Sequence, residues 1–260
     1  MNTQDSDLLS VDEQISELIL SYGGHVSPNE GMCVMEAISY IAGEPFSEYP
    51  MCACPVITAF MIGFNDSLLD ENRDRWIKPL IPAILNSRSL LESGEQDIGV
   101  QVERSLIAAD AGLRQFIPFT FDMAADSFNL SGDTDRAELC AGWSAALRAL
   151  PEQTTLEGLE AAARAAIDNP DSLTVLVSWA NLTARSGRND LRDLADRASC
   201  AAYGSERFAD SFTCCDNFAE LANVAPFAVR SSLPQVAARA DEINECRASV
   251  VLKMLAVRRS

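Results

Sequence analysis

The sequence predicts an all-α protein, and three observations carry that reading. Ala is abundant, in runs such as EGLEAAARAAI, and Ala is the strongest helix former. Val, Ile and Thr seldom alternate with polar residues over a strand-length window, so the period-2 signature of a half-buried strand is missing. Helix starts and stops are marked along much of the chain by capping residues, Pro and Gly. The expected architecture is a compact N-terminal unit, residues 1–90, packed on an irregular array of helices over 91–260. The weak composition break at Ser87 to Gln96 is the boundary, and one continuous domain is the alternative.

The first helix is expected from about Val11 to Tyr22. Ser10 and Glu13 form a capping box, and Ile15, Leu18, Ile19 and Tyr22 fall on one face before Gly23 and Gly24 end it. A second should start with Ser27 as N-cap, Pro28 at the first helical position and Glu30 three residues after Ser27, then run to Ala42 and stop at Gly43. GEPFSEYPMCAC is a loop punctuated by Pro45 and Pro50, after which Pro55 opens a third helix through Phe64. Asp70 caps a fourth element that Pro79 and Pro82 must break or kink. Beyond it, helices are expected at about 95–116, 118–129, 134–150, 155–167, 171–186, 189–203, 205–223 and 233–258, with starts marked by Asp133, Thr154, Asn169-Pro170 and the Ser232-to-Gln235 pair.

At 260 residues the chain can bury a sizeable core, and 48% apolar residues with mean hydropathy near zero favour a folded globule over a disordered acidic segment. A formal charge of −18 disfavours direct binding to nucleic acid or anionic lipid, which runs on clustered Lys and Arg. The first twenty residues carry acids where a secretory leader would carry bases. The longest uncharged run, Tyr49 to Asn65, is 17 residues interrupted by Pro50 and Pro55, too short to span a bilayer. A cytoplasmic location is the resulting expectation, with the eight cysteines kept as thiols or used as ligands. The last fourteen residues reverse sign through Arg247, Lys253, Arg258 and Arg259. They suit either the dipole of a terminal helix or a contact with the acidic body of this or a second copy, which leaves homo-oligomerisation open.

Chemistry concentrates between His25, the only histidine, and Pro55. His25, Cys33, Cys52 and Cys54 offer the N and S donors of a zinc site, at a spacing that matches no standard finger. Read structurally, Cys33 and Cys54 are small buried apolar residues. Cys33 as a nucleophile with His25 as base is a second option. It is weakened because, counted from Ser27, Cys33 sits beyond the first helical turn, where dipole activation fades. Glu36 shares a helix face with Cys33 and Tyr40; if buried, it must be functional or ion-paired. Glu44 and Glu48 flank Pro45 and could join Glu36 as an acidic cluster for a cation or for a partner's Arg. The stretch from Met1 to Asn72 holds twelve Asp or Glu and no Lys or Arg, so counter-charge must come from distant Arg residues or from outside the chain. The vicinal pair Cys214-Cys215 points about 100° apart on a helix and reads as packing. No phosphate-cradling Gly loop, Ser-centred elbow or HExxH occurs, so no cofactor is implied apart from the zinc alternative.

The string GMCVMEAISYIAGEPFSEYPMCACPVITAF, followed by Asn65-Asp66 and by PLIP at Pro79 to Pro82, resembles a group of helical proteins from actinobacteria and their phages. The resemblance spans roughly Gly24 to Arg88. It implies an intracellular bacterial or phage setting and brings no activity, cofactor or residue role with it. The function expected is a non-enzymatic interaction or regulatory protein that engages a basic protein surface through Glu36, Glu44 and Glu48. A zinc- or thiol-dependent enzyme centred on residues 25–54 and an acidic DNA mimic are the alternatives.

Overall fold

The computed structural model describes residues 10–68, 70–116, 134–155 and 234–258, with isolated positions from 118 to 132 and at 158. The helices expected at 155–167, 171–186, 189–203 and 205–223, and the Cys214-Cys215 pair, lie outside the described residues. The described part is all-α, mostly helix with two isolated bridges and no strand. No helix among the described residues is long and apolar enough to cross a membrane.

Helix α1 spans Val11–Glu17 and opens on the expected Ser10/Glu13 capping box. It stops five residues short of Tyr22. Ile15 and Leu18 are buried, but Ile19 and Tyr22 point to solvent. The reason is long-range: Leu20 leaves the helix to bridge Met32 in parallel, and the Ser21 N–H donates to the Met32 carbonyl at 2.9 Å. The second helix also starts later than the Ser27-Pro28 signal suggests. Pro28–Glu30 forms one 3-10 turn, Gly31 breaks it at φ +119°, and α2 spans Val34–Ile41 with Cys33 as N-cap.

Helix α3, Pro55–Ser67, is the centre of the molecule, begun by Pro55 at its first position behind the Cys54 cap. Val56, Ile57, Phe60, Met61 and Phe64 are fully buried, as expected of a helix apolar around most of its circumference. Each such side chain stabilises the fold by roughly 1.5–3 kcal/mol through removal from water. Asp70–Trp76 forms α4. Beyond it, Pro79 and Pro82 divide the chain into a 3-10 turn, Lys78–Leu80, and the short α5, Ile81–Ile84, as their missing N–H groups require.

Helix α6, Ile98–Ala111, begins after a turn in which Leu90 bridges Gln96, and Asp97 caps it by accepting from the Val100 N–H. It widens into a π segment, Gly112–Phe116, that delivers Phe116 to the Phe60 ring, centroids 6.2 Å apart. Helix α7 spans Thr134–Arg148 and α8 spans Pro234–Ala256. Helix α8 packs against α3 and α6, and one cluster of buried side chains runs from Ile15 through Phe116 and Phe119 to Ile243, Val250 and Met254. That cluster crosses residue 90.

Arginine holds this assembly together from inside. Buried Arg104, on α6, donates to the Met254, Ser87 and Val257 carbonyls at 2.9, 2.7 and 3.1 Å, satisfying the C-terminal end of α8. Buried Arg73 does the same for the end of α3, through the Asn65 and Leu68 carbonyls. Arg247, counted with the basic tail, is fully buried with its guanidinium over the Phe64 ring.

Candidate functional site

The end of α3 positions the loop that carries His25. Asn65, fully buried, donates to the Ser21 carbonyl at 2.9 Å and accepts from the Val34 N–H at 3.2 Å, while Asp66 accepts from the Gly23 N–H at 3.0 Å. These bonds tie loop 18–33 to both α2 and α3. Placing His25 over the start of α2 is the result.

Glu36 is the hub of the site. It is 1% exposed, and its two oxygens accept three N–H groups: the His25 backbone at 2.6 Å, His25 Nδ1 at 2.8 Å and the Cys33 backbone at 2.8 Å. The Cys33 bond is the N-terminal cap of α2; the other two lock the loop onto it. Of the two situations open for Glu36 in the sequence, a buried or a solvated face, burial is the one found, with hydrogen-bonded partners on both oxygens. It exposes almost no surface, so an outward acidic role falls to Glu44 and Glu48.

His25 has a second partner that no sequence signal named. Its Nε2 lies 2.9 Å from Ser21 Oγ, so Ser21, His25 and Glu36 form one hydrogen-bonded line. A carboxylate can only accept, so Nδ1 carries a proton toward Glu36, and in the neutral ring Nε2 is then an acceptor for the Ser21 hydroxyl, which also lies 3.4 Å from the Met32 carbonyl. Their spacing in the chain is S-x3-H-x10-E, and the folded loop brings the three together.

Cys33 is buried as an N-cap rather than lying beyond the first turn, which corrects the position inferred from Ser27. Proximity to the helix N-terminus does not activate it. Burial, and then the Glu36 and Glu48 carboxylates, push the thiol well above its ordinary range, against the opposing effect of backbone N–H groups. Glu48 is half-buried, with its Oε1 3.9 Å from Cys33 Sγ, and its carboxyl is raised by burial and by the charges of Glu36 and Asp66. Its carboxylate passes directly over Gly24, where a Cβ would stand 2.8 Å from it, so a side chain at that position would displace the Glu48 carboxylate.

Among the described residues the structure brings no three of His25, Cys33, Cys52 and Cys54 within ligand distance of one another. The metal-type triple it forms is Cys33, Glu36 and Glu48, with donor atoms within 4.8 Å. Thiolate and carboxylate donors suit zinc, but Glu36 is already claimed by three N–H groups and Cys33 holds its proton. Cys52 and Cys54 serve the neighbouring turn instead: the Cys54 N–H donates to Ser87 Oγ at 3.0 Å, and the Cys52 carbonyl accepts from the Arg88 N–H at 3.0 Å.

Around this hub the surface is acidic and unusually apolar. Glu44 accepts only locally, from the Met51 N–H at 2.5 Å, and neither it, Glu48 nor Asp66 has a Lys or Arg partner among the described residues. Tyr22 and Val26 on one loop and Tyr49 and Met51 on the other are exposed, Val26 by 87% and Met51 by 67%. The two loops meet where Glu48 crosses Gly24. Elsewhere, a cavity of about 360 Å³ between α6, α8 and residues 152–154 is lined by Glu103, Asp110, Glu152 and Lys253 among others; Asp110 is committed to Arg114 and the Gln153 N–H.

Comparisons with protein-family models, curated proteins and solved structures find no match to this chain.

Proposed function

We propose that this chain is an interaction or regulatory protein whose docking face is formed by loops 18–33 and 43–54, and that its partner is a protein with a basic surface. The observation that carries the reading is the pairing of unneutralised Glu44, Glu48 and Asp66 with exposed Tyr22, Val26, Tyr49 and Met51. Tyr and Met are enriched where proteins meet, supplying contact area at the centre of a patch, while carboxylates around them select a cationic partner and speed its approach. The buried arginines Arg73 and Arg104 are engaged with backbone carbonyls, so they do not answer these charges from within. Nucleic acid and anionic membrane remain disfavoured as direct partners on charge alone. The setting that accompanies this reading is the cytoplasm of a bacterium, with or without a phage.

The test is to isolate a binding protein from such a host, purify it and titrate it against wild type and a Glu44→Gln, Glu48→Gln, Tyr49→Ser variant. Affinity should fall at least about tenfold between about 50 and about 300 mM salt, and by a similar factor in the variant. A partner indifferent to both would remove the reading. A second reading, zinc binding, rests on the Cys33, Glu36 and Glu48 triple. It requires one equivalent of zinc to survive gel filtration and to be lost in Cys33→Ser.

A further inference from the structure

We propose that Ser21 is an activated nucleophile and that Ser21, His25 and Glu36 carry out acyl transfer to water on a small ester. The inference does not depend on the docking face. Its basis is the geometry that nucleophilic catalysis demands: hydroxyl and base within hydrogen-bond reach, and the base oriented by a third group. Ser21 Oγ to His25 Nε2 is 2.9 Å and His25 Nδ1 to Glu36 Oε2 is 2.8 Å. Glu36 is itself held by the His25 and Cys33 backbone N–H groups, so the orienting group has no freedom to swing away.

The surroundings fit the same role. Ser21 and His25 are partly buried, the His25 side chain keeping 13% of its exposure, whereas Glu36 behind them is sealed at 1%. Gly31 leans over the hydrogen bond itself: a Cβ there would stand 2.7 Å from Ser21 Oγ and 3.1 Å from His25 Nε2. Glycine at φ +119° is therefore what keeps a side chain out of the space beside the reacting atoms. Cys33, the other nucleophile nearby, is excluded by its retained proton and near-complete burial.

The chemistry balances with water as the only co-reactant. Ser21 Oγ bonds to the ester carbonyl carbon while its proton passes to His25 Nε2. Glu36 accepts the Nδ1–H bond of the imidazolium that forms. As the C–O bond of the ester breaks, Nε2 returns the proton to the leaving alkoxide, and an alcohol departs. Water then attacks the acyl-Ser21 ester with His25 as base, releasing a carboxylic acid and restoring the hydroxyl.

The experiment uses the full chain and diisopropyl fluorophosphate, which phosphorylates activated serine hydroxyls with loss of fluoride. Intact mass should show a single adduct, and peptide mapping should place it on Ser21. Ser21→Ala should abolish it, Cys33→Ser should leave it in place, and Glu36→Gln should slow labelling by about a hundredfold or more, the lower end of what a positioned base contributes. Hydrolysis of p-nitrophenyl acetate should follow the same order. Absence of an adduct on folded wild type, or an adduct mapped to any other residue, overturns the proposal without recourse to a variant. A hydrolysis rate unchanged in Ser21→Ala that retains its far-UV spectrum would do the same.

Discussion

Replacing Glu36 with Ala removes the acceptor for three N–H groups at once, and the structure sets what that should cost. The Cys33 N–H is buried, so it pays the full penalty of an unmade bond, about 1–3 kcal/mol. The His25 N–H and Nδ1–H lie in a half-buried loop where water can substitute in part, so each contributes about 0.5–1.5 kcal/mol. Relief of the repulsion between Glu36 and Glu48 offsets some of this. The net loss should be about 2–4 kcal/mol, against about 1 kcal/mol for an ordinary N-terminal cap. Urea unfolding followed by far-UV ellipticity should move to a midpoint roughly 1–2 M lower with an unchanged m-value. Glu36→Gln, which keeps one oxygen acceptor, should fall between Ala and wild type. A double-mutant cycle with His25→Gln should return a coupling above about 0.5 kcal/mol. A loss under about 1 kcal/mol for the Ala variant would mean that Glu36 is only a helix cap and that the loop is held by something else.

Glu48→Gln should act in the opposite direction, raising Tm near neutral pH. The Glu48 carboxyl is raised in the fold, so the folded state holds the proton more tightly and stability falls as pH climbs from the ordinary carboxylate range through the raised value. The Gln variant lacks that loss, and its advantage should vanish below the carboxylate range; Tm against pH by differential scanning fluorimetry reads both ends, and an advantage that persists at low pH contradicts the electrostatic cause. If the docking face is as proposed, the same substitution weakens partner binding while stabilising the fold. Arg104→Met should destabilise by about 2–4 kcal/mol, because three buried carbonyls lose a charged donor while the cost of burying the guanidinium is relieved. Hydrogen exchange should show the amides of the last turn of α8 opening first; unchanged protection there would contradict the clasp.

Local signals in the sequence proved reliable where the physics is local. The Ser10/Glu13 box, Pro55 at a helix start and the breaks at Pro79 and Pro82 all stand where covalent geometry and nearest-neighbour hydrogen bonds put them. Errors arose where a distant strand of chain intervened. Nothing within α1 announces that Leu20 will leave to meet Met32, yet that bridge ends the helix and turns Ile19 and Tyr22 outward. The same contact explains the misplacement of Cys33: Ser27, Pro28 and Glu30 spell a helix start, but one 3-10 turn and Gly31 use it up before α2 begins. Ser21 was invisible as a site residue because its partnership with His25 exists only once Asn65 and Asp66 have pinned the loop.

The Arg104 clasp also sets a clock. Its acceptors at Met254 and Val257 lie 150 and 153 residues further along the chain. During synthesis at about 5–20 residues per second, α6 emerges roughly 10–30 s before the carbonyls that will satisfy its buried guanidinium. Until then the Phe64 ring lacks the Arg247 guanidinium, and α3 and α6 lack the helix that packs against them. The nascent chain must pass that interval with an open apolar face, and a strongly negative charge that keeps ribosome-bound copies apart is well suited to carrying it across.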